Sequence, residues 1–127
     1  MNLKQLLFLH AATGKQEENL LDYTDLVNKT YGGDASDKNV LPAHKITVTP
    51  GALMLLTGPK VTELMIRFYD ENNVYLSDDT VTKWGSGTQN VSFTVPDNAA
   101  TIWPKWNDNA GLSVEDFIAT NPVIKYA

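Results

Sequence analysis

Val61-Thr62-Glu63-Leu64-Met65-Ile66-Arg67-Phe68-Tyr69-Asp70-Glu71-Asn72-Asn73-Val74-Tyr75-Leu76 is the stretch that decides the fold. From Val61 to Tyr69 it alternates. Leu64, Ile66 and Phe68 fall on one side, and Met65, Arg67 and Tyr69 on the other. Successive side chains on a strand project to opposite faces, so this pattern predicts a half-buried β-strand. Asp70-Glu71-Asn72-Asn73 supplies turn residues and Val74 to Leu76 returns, which makes a β-hairpin.

The same texture extends in both directions. Upstream, His44 to Thr49 places Ile46 and Val48 on one face before Pro50-Gly51 breaks it. Ala52 to Thr57 is an apolar run stopped by Gly58-Pro59. Downstream, Ser77 to Gly87 reads as a long polar loop holding Trp84. Val91, Phe93 and Val95 share a face, Pro96-Asp97-Asn98 turns, and Ala100 to Trp106 and Val123 to Tyr126 are further strands. Ser113 to Ala119 fits a single helical turn, and Asn28 to Asn39 is loop chemistry. Turns recur about every 8 to 12 residues, the rhythm of a sandwich or barrel. The expected core is Ile46, Val48, Leu64, Ile66, Phe68, Val91, Phe93, Val95, Ile102 and Trp106. Pro104 interrupts a strand pattern. Proline has no N–H for the ladder, so this strand is expected at an edge or with a bulge.

The chain has 127 residues, one domain's worth. It has no cysteine, which excludes disulfides, zinc thiolate sites and cysteine nucleophiles. The formal net charge is −5, against clustered phosphate contacts to nucleic acid and against anionic membrane surfaces. No run approaches the roughly 20 apolar residues of a membrane-spanning helix. Ahead of the strands, Leu3, Leu6, Leu7 and His10 fall at helical spacing. Residues 1–15 are therefore expected to form a short amphipathic leader helix, ended near Gly14, whose apolar face packs on the main domain, on other copies or on a partner. The run shares features with a secretory signal but is shorter in both its basic and apolar parts.

Four pieces in order carry a family resemblance. They are Asn19-Leu20-Leu21-Asp22, Ile46-Thr47-Val48-Thr49-Pro50-Gly51, Ile66-Arg67-Phe68-Tyr69-Asp70-Glu71-Asn72-Asn73-Val74-Tyr75-Leu76-Ser77, and Phe93-Thr94-Val95-Pro96-Asp97-Asn98-Ala99-Ala100. Together residues 19–127 resemble the jelly-roll, carbohydrate-binding-like module of phage tail, baseplate and fibre proteins. Two strands depart from the family pattern: Ala52-Leu53-Met54-Leu55-Leu56 replaces an aromatic strand, and Thr101-Ile102-Trp103-Pro104 replaces one of the Tyr-Ile-Arg-Ile type. The resemblance implies an all-β, jelly-roll β-sandwich with a short N-terminal helix. It implies a non-catalytic virion component exposed on the phage particle, binding bacterial surface polysaccharide and other virion proteins, and assembled as a homo-oligomer, a trimer by the habit of phage fibres. The alternative is a decoration or adaptor attached through Leu3, Leu6, Leu7 and His10, with no glycan site.

Alternation sorts the ligand candidates. With the core residues inward, Arg67, Tyr69, Trp103 and Lys105 point out together. Aromatic rings cover the apolar faces of sugars while charged donors take hydroxyls, so these four and Trp84 are the carbohydrate-binding candidates. The bland alternative is an ordinary outer face, or one covered by a loop or by the leader. Asp70, Asn72, Asp78 and Asp79 are calcium-type oxygens, but turn chemistry explains Asp and Asn there equally. No metal or other cofactor is expected. His10 and His44 build no triad, and scattered acids such as Glu63, Asp108 and Glu115 make no defined glycosidase pair. Asn28-Lys29-Thr30 and Asn90-Val91-Ser92 match the glycosylation pattern, which is accidental in a phage protein.

Overall fold

The computed structural model describes residues 18–83 and 85–127. The leader residues Leu3, Leu6, Leu7 and His10, the expected leader helix, and Trp84 lie outside the described residues.

Nine strands, one 3-10 turn (Tyr23–Asp25) and one short α-helix make up the described residues: β1 (Leu26–Val27), β2 (Asn39–Pro42), β3 (Ile46–Thr47), β4 (Leu53–Pro59), β5 (Glu63–Tyr69), β6 (Tyr75–Val81), β7 (Thr88–Thr94), β8 (Thr101–Asn107), α1 (Val114–Ala119) and β9 (Val123–Tyr126). All pairings are antiparallel. One sheet runs β1-β2-β8-β5-β6, with β3 also beside β8. The other runs β7-β4-β9. The molecule is an all-β sandwich of two unequal sheets.

The faces sort as the alternation predicts. Val48, Leu64, Ile66, Phe68, Phe93, Val95, Ile102 and Trp106 are buried in one cluster, and Ile46 and Val91 pack against it. Met54, Leu56 and Ile124 of the narrower sheet close the core from the other side. The 70–74 turn forms as expected. Asp70 Oδ1 accepts the N–H groups of Asn72 (2.8 Å) and Val74 (2.9 Å). Asn73 takes φ 64°, a left-handed conformation that Asn tolerates better than most residues. Ser113 caps α1 by accepting the Asp116 N–H, and Phe117 of α1 packs 4.5 Å from the Trp106 ring.

Four local expectations are corrected. Gly58 and Pro59 do not stop a strand; both belong to β4. A Cβ at Gly58 would stand 3.0 Å from Trp106 Nε1, so the glycine there makes room for the indole. Second, Ser77 to Val81 is not loop but continues β6, paired with β5 from Leu64 to Tyr69. Its polarity follows from its place at the sheet edge, where Ser77 and Asp79 are exposed and need no apolar partner. Third, Asn39 begins β2 and is not part of the loop. All four β2 residues are buried, so the strand shows no alternation to read. Fourth, β8 is central, not an edge. β5 pairs along its whole length, Pro104 opposite Ile66. On its other side β3 meets only Ile102 and Thr101, and β2 only Trp106 and Asn107. Pro104 stands opposite the break between them, where no ladder is interrupted.

Candidate functional site

The outer face of β5 and β8 brings four of the five carbohydrate-binding candidates together. Arg67 pairs with Trp103, Met65 with Lys105, and Tyr69 with Thr101, and all of these alternate outward from the core. The fifth, Trp84, lies outside the described residues.

Three further residues join from elements that no single strand pattern could link. Tyr31 comes from the loop between β1 and β2, Lys45 from just before β3, and Tyr75 from the start of β6. The Tyr31 ring lies tilted 4.9 Å from Trp103, and its hydroxyl donates to the carbonyls of Trp103 (2.7 Å) and Met65 (3.2 Å). Trp103 Nε1 donates to the Pro42 carbonyl at 2.7 Å, which fixes the indole. Tyr69 makes edge contacts with Trp103 (6.3 Å) and Tyr75 (6.0 Å). An aromatic residue in a Gly/Asp loop was the available signal for Tyr31, the same one that singles out Trp84.

Each cation of this face sits on rings. The Arg67 guanidinium is 4.0 Å from the Tyr31 centroid and 5.5 Å from that of Tyr75. Lys45 Nζ is 4.5 Å from both Tyr69 and Trp103, and Lys105 Nζ is 4.7 Å from Tyr31. Contacts of this kind contribute about 0.5–1 kcal/mol when exposed and ~2 when desolvated. Burial pushes the Tyr31 phenol well above its ordinary range, so the ring stays neutral and the hydroxyl stays a donor. Partial burial pulls the Lys105 ammonium below the ordinary lysine value, with Glu63 opposing the shift.

The cluster is a packed surface more than an open platform. Tyr69 is 7% exposed and buried, while Trp103, Arg67 and Lys105 are half-buried. Tyr75 is the exposed ring, at 50%. Beside Tyr31 and Trp103 lies an open cleft of about 180 Å³ that Lys29, Leu41, Pro42 and Ala43 help to line. Its walls combine an indole, a phenol, aliphatic carbons and one lysine. That mixture suits a small ring with one apolar face and polar rims.

The calcium-type oxygens do not converge. Asp70 is taken up by its turn, and Asp78 Oδ2 accepts the Tyr75 hydroxyl at 2.6 Å. Among the described residues there is no group of three or more His, Cys, Asp or Glu side chains placed to hold a metal ion. His44 is exposed, with Nδ1 2.7 Å from Asp25 Oδ1.

Fold and site define a two-sheet antiparallel β-sandwich whose wider sheet carries an aromatic and cationic outer surface. No family model and no curated protein matches the chain. It is similar to a solved structure described as "Family 16 Carbohydrate Binding Module-2", at 17% sequence identity and a TM-score of 0.35, over 80% of this chain and 79% of that one.

Proposed function

We propose that this chain is a non-catalytic glycan-binding protein whose site is the outer face of β5 and β8, with the cleft beside Tyr31 and Trp103. The observation that carries the reading is the convergence of Tyr31, Tyr69, Tyr75 and Trp103 with Arg67, Lys45 and Lys105 on one surface, drawn from separate elements. Rings of this kind stack on sugar C–H faces, and the cations and Lys29 supply donors to hydroxyls. A cleft of about 180 Å³ is smaller than ordinary ligand pockets and has room for a single sugar ring, so single-site binding is expected to be weak. Copies on one particle would raise it through avidity by about 10²–10⁴. The jelly-roll topology, the place on a phage particle, the bacterial surface polysaccharide and the trimeric assembly come from the sequence resemblance and are part of the proposal.

One observation favours a second reading. The rings pack on each other, and Tyr31 covers Trp103. A surface that satisfies itself in this way also suits a structural adaptor, held to other virion proteins through its first 15 residues.

Binding to an array of bacterial glycans, compared between the wild type and Trp103→Ala, separates the two. Capture of a wall or capsular glycan by the wild type and its loss in a folded Trp103→Ala protein supports the first. No glycan captured, with particle assembly lost on deleting residues 1–15, supports the second. Antibody labelling of intact phage particles tests the location.

A further inference from the structure

The three cations of the β5–β8 face are held without being neutralised. A ring attracts a cation through its quadrupole and brings no net charge, so the positive charge remains for a ligand to feel. None of Lys45, Arg67 and Lys105 has a described carboxylate oxygen within 4.0 Å. Two carboxylates do share the face. Asp78 stands opposite Arg67 in register, yet its Oδ2 is occupied by the Tyr75 hydroxyl. Glu63 lies two residues along β5 from Met65, the partner of Lys105, and acts on Lys105 through space. Arg67 Nε is buried with no hydrogen-bond partner among the described residues. All this stands on a chain of net charge −5. A local positive surface on an acidic protein is a selectivity device, because the rest of the molecule repels what the patch attracts.

We propose that the face selects glycans bearing anionic substituents, with Arg67, Lys105 and Lys45 contacting the anion while Trp103 and Tyr31 contact the sugar ring. This rests on the glycan-binding reading and adds the charge of the ligand to it. Carboxylate and phosphate share the chemistry required, planar or tetrahedral oxyanions that accept from guanidinium and ammonium.

The test uses polymers matched in backbone. Polygalacturonate and its fully methyl-esterified form share one sugar backbone and exchange a charged carboxylate for a neutral ester, and a glucosylated teichoic acid stripped of D-alanine supplies a phosphate arm that still carries a sugar ring. Affinities are measured by calorimetry at low and at physiological salt, together with a panel of neutral polysaccharides. The expected result is binding to polygalacturonate or to the teichoic acid at least about tenfold tighter than to the ester, weakening with salt. Whichever polyanion binds identifies the substituent. Lys105→Gln and Lys45→Gln each lower that affinity by about three- to tenfold, and Arg67→Gln by more, because it removes the two-pronged donor. The lysine variants keep the test decisive where Arg67→Gln fails to fold. Equal binding of acid and ester, or binding confined to neutral polymers, overturns the charge selectivity and leaves the glycan reading standing. Polyanion binding that survives Lys105→Gln, Lys45→Gln and Trp103→Ala alike places the anion elsewhere and also overturns the proposal. No binding to any polymer overturns both.

Discussion

The Tyr31 hydroxyl donates to the Trp103 carbonyl at 2.7 Å while the two rings lie 4.9 Å apart. A loop residue is thereby bonded to the backbone of a central strand and packed at a tilt against its side chain. The loop between β1 and β2 is held over the sheet by the candidate site itself. Tyr31→Phe keeps the ring and removes the donor, leaving the Trp103 carbonyl without that partner. The expected loss is about 1–3 kcal/mol in urea denaturation. A midpoint equal to the wild type would mean that water replaces the hydroxyl at no cost.

The same phenol predicts an alkaline limit to stability. Its folded value is raised above the ordinary 10.0, chiefly by burial, so the folded state keeps a proton that the unfolded chain gives up. Its contribution is therefore complete below pH ~10 and is lost progressively as pH rises beyond that. Tyr23 and Tyr75 are shifted in the same direction, so Tyr31→Phe is expected to flatten the alkaline decline without abolishing it. Thermal melts from pH 8 to 12, with phenolate absorbance followed in parallel, check this. Full ionisation of all five tyrosines before unfolding would contradict it.

Gly58 and Trp106 make a second sensitive contact. An alanine methyl at position 58 would meet Trp106 Nε1 at 3.0 Å, and the indole is 0% exposed and already packed against Phe117. With nowhere for the ring to retreat, Gly58→Ala is expected to cost about 1–3 kcal/mol. The near-ultraviolet dichroism of the buried indole should change with it. A fully stable Gly58→Ala protein would show that β4 shifts freely at its end.

Asp70 organises the β5–β6 turn through one carboxylate oxygen. Asp70→Ala removes both acceptor contacts to Asn72 and Val74. Because the turn is exposed, water takes over in part, and the expected cost is about 1 kcal/mol. Amide hydrogen exchange at residues 72 and 74 should accelerate while that of β8 stays slow. Equal protection at both amides would assign the turn's rigidity to its backbone bonds alone.

Much of the fold was legible because the strands that build the core are half-buried. Leu64, Ile66 and Phe68 declare one face and Arg67 and Tyr69 the other, which also placed four site candidates on one surface. Alternation fails where burial does not alternate. β2 is buried on both sides, and β6 is a polar edge, so neither carries the signal. Pro104 misled for a related reason. A proline rule speaks of the ladder beside it, and that ladder's break between β2 and β3 is a feature of the assembled sheet.

The sequence by itself determined the two-layer β architecture, the part of the core that β5, β7 and β8 supply and the outward set of Arg67, Tyr69, Trp103 and Lys105. These depend on period-two spacing, a property of one strand at a time. Only the tertiary structure decided that Tyr31, Lys45 and Tyr75 complete the cluster, that Tyr31 covers Trp103, and that a cleft opens beside them. Contacts between distant segments arise when separate elements pack on one surface, and no local spacing encodes which loop will lie across which strand.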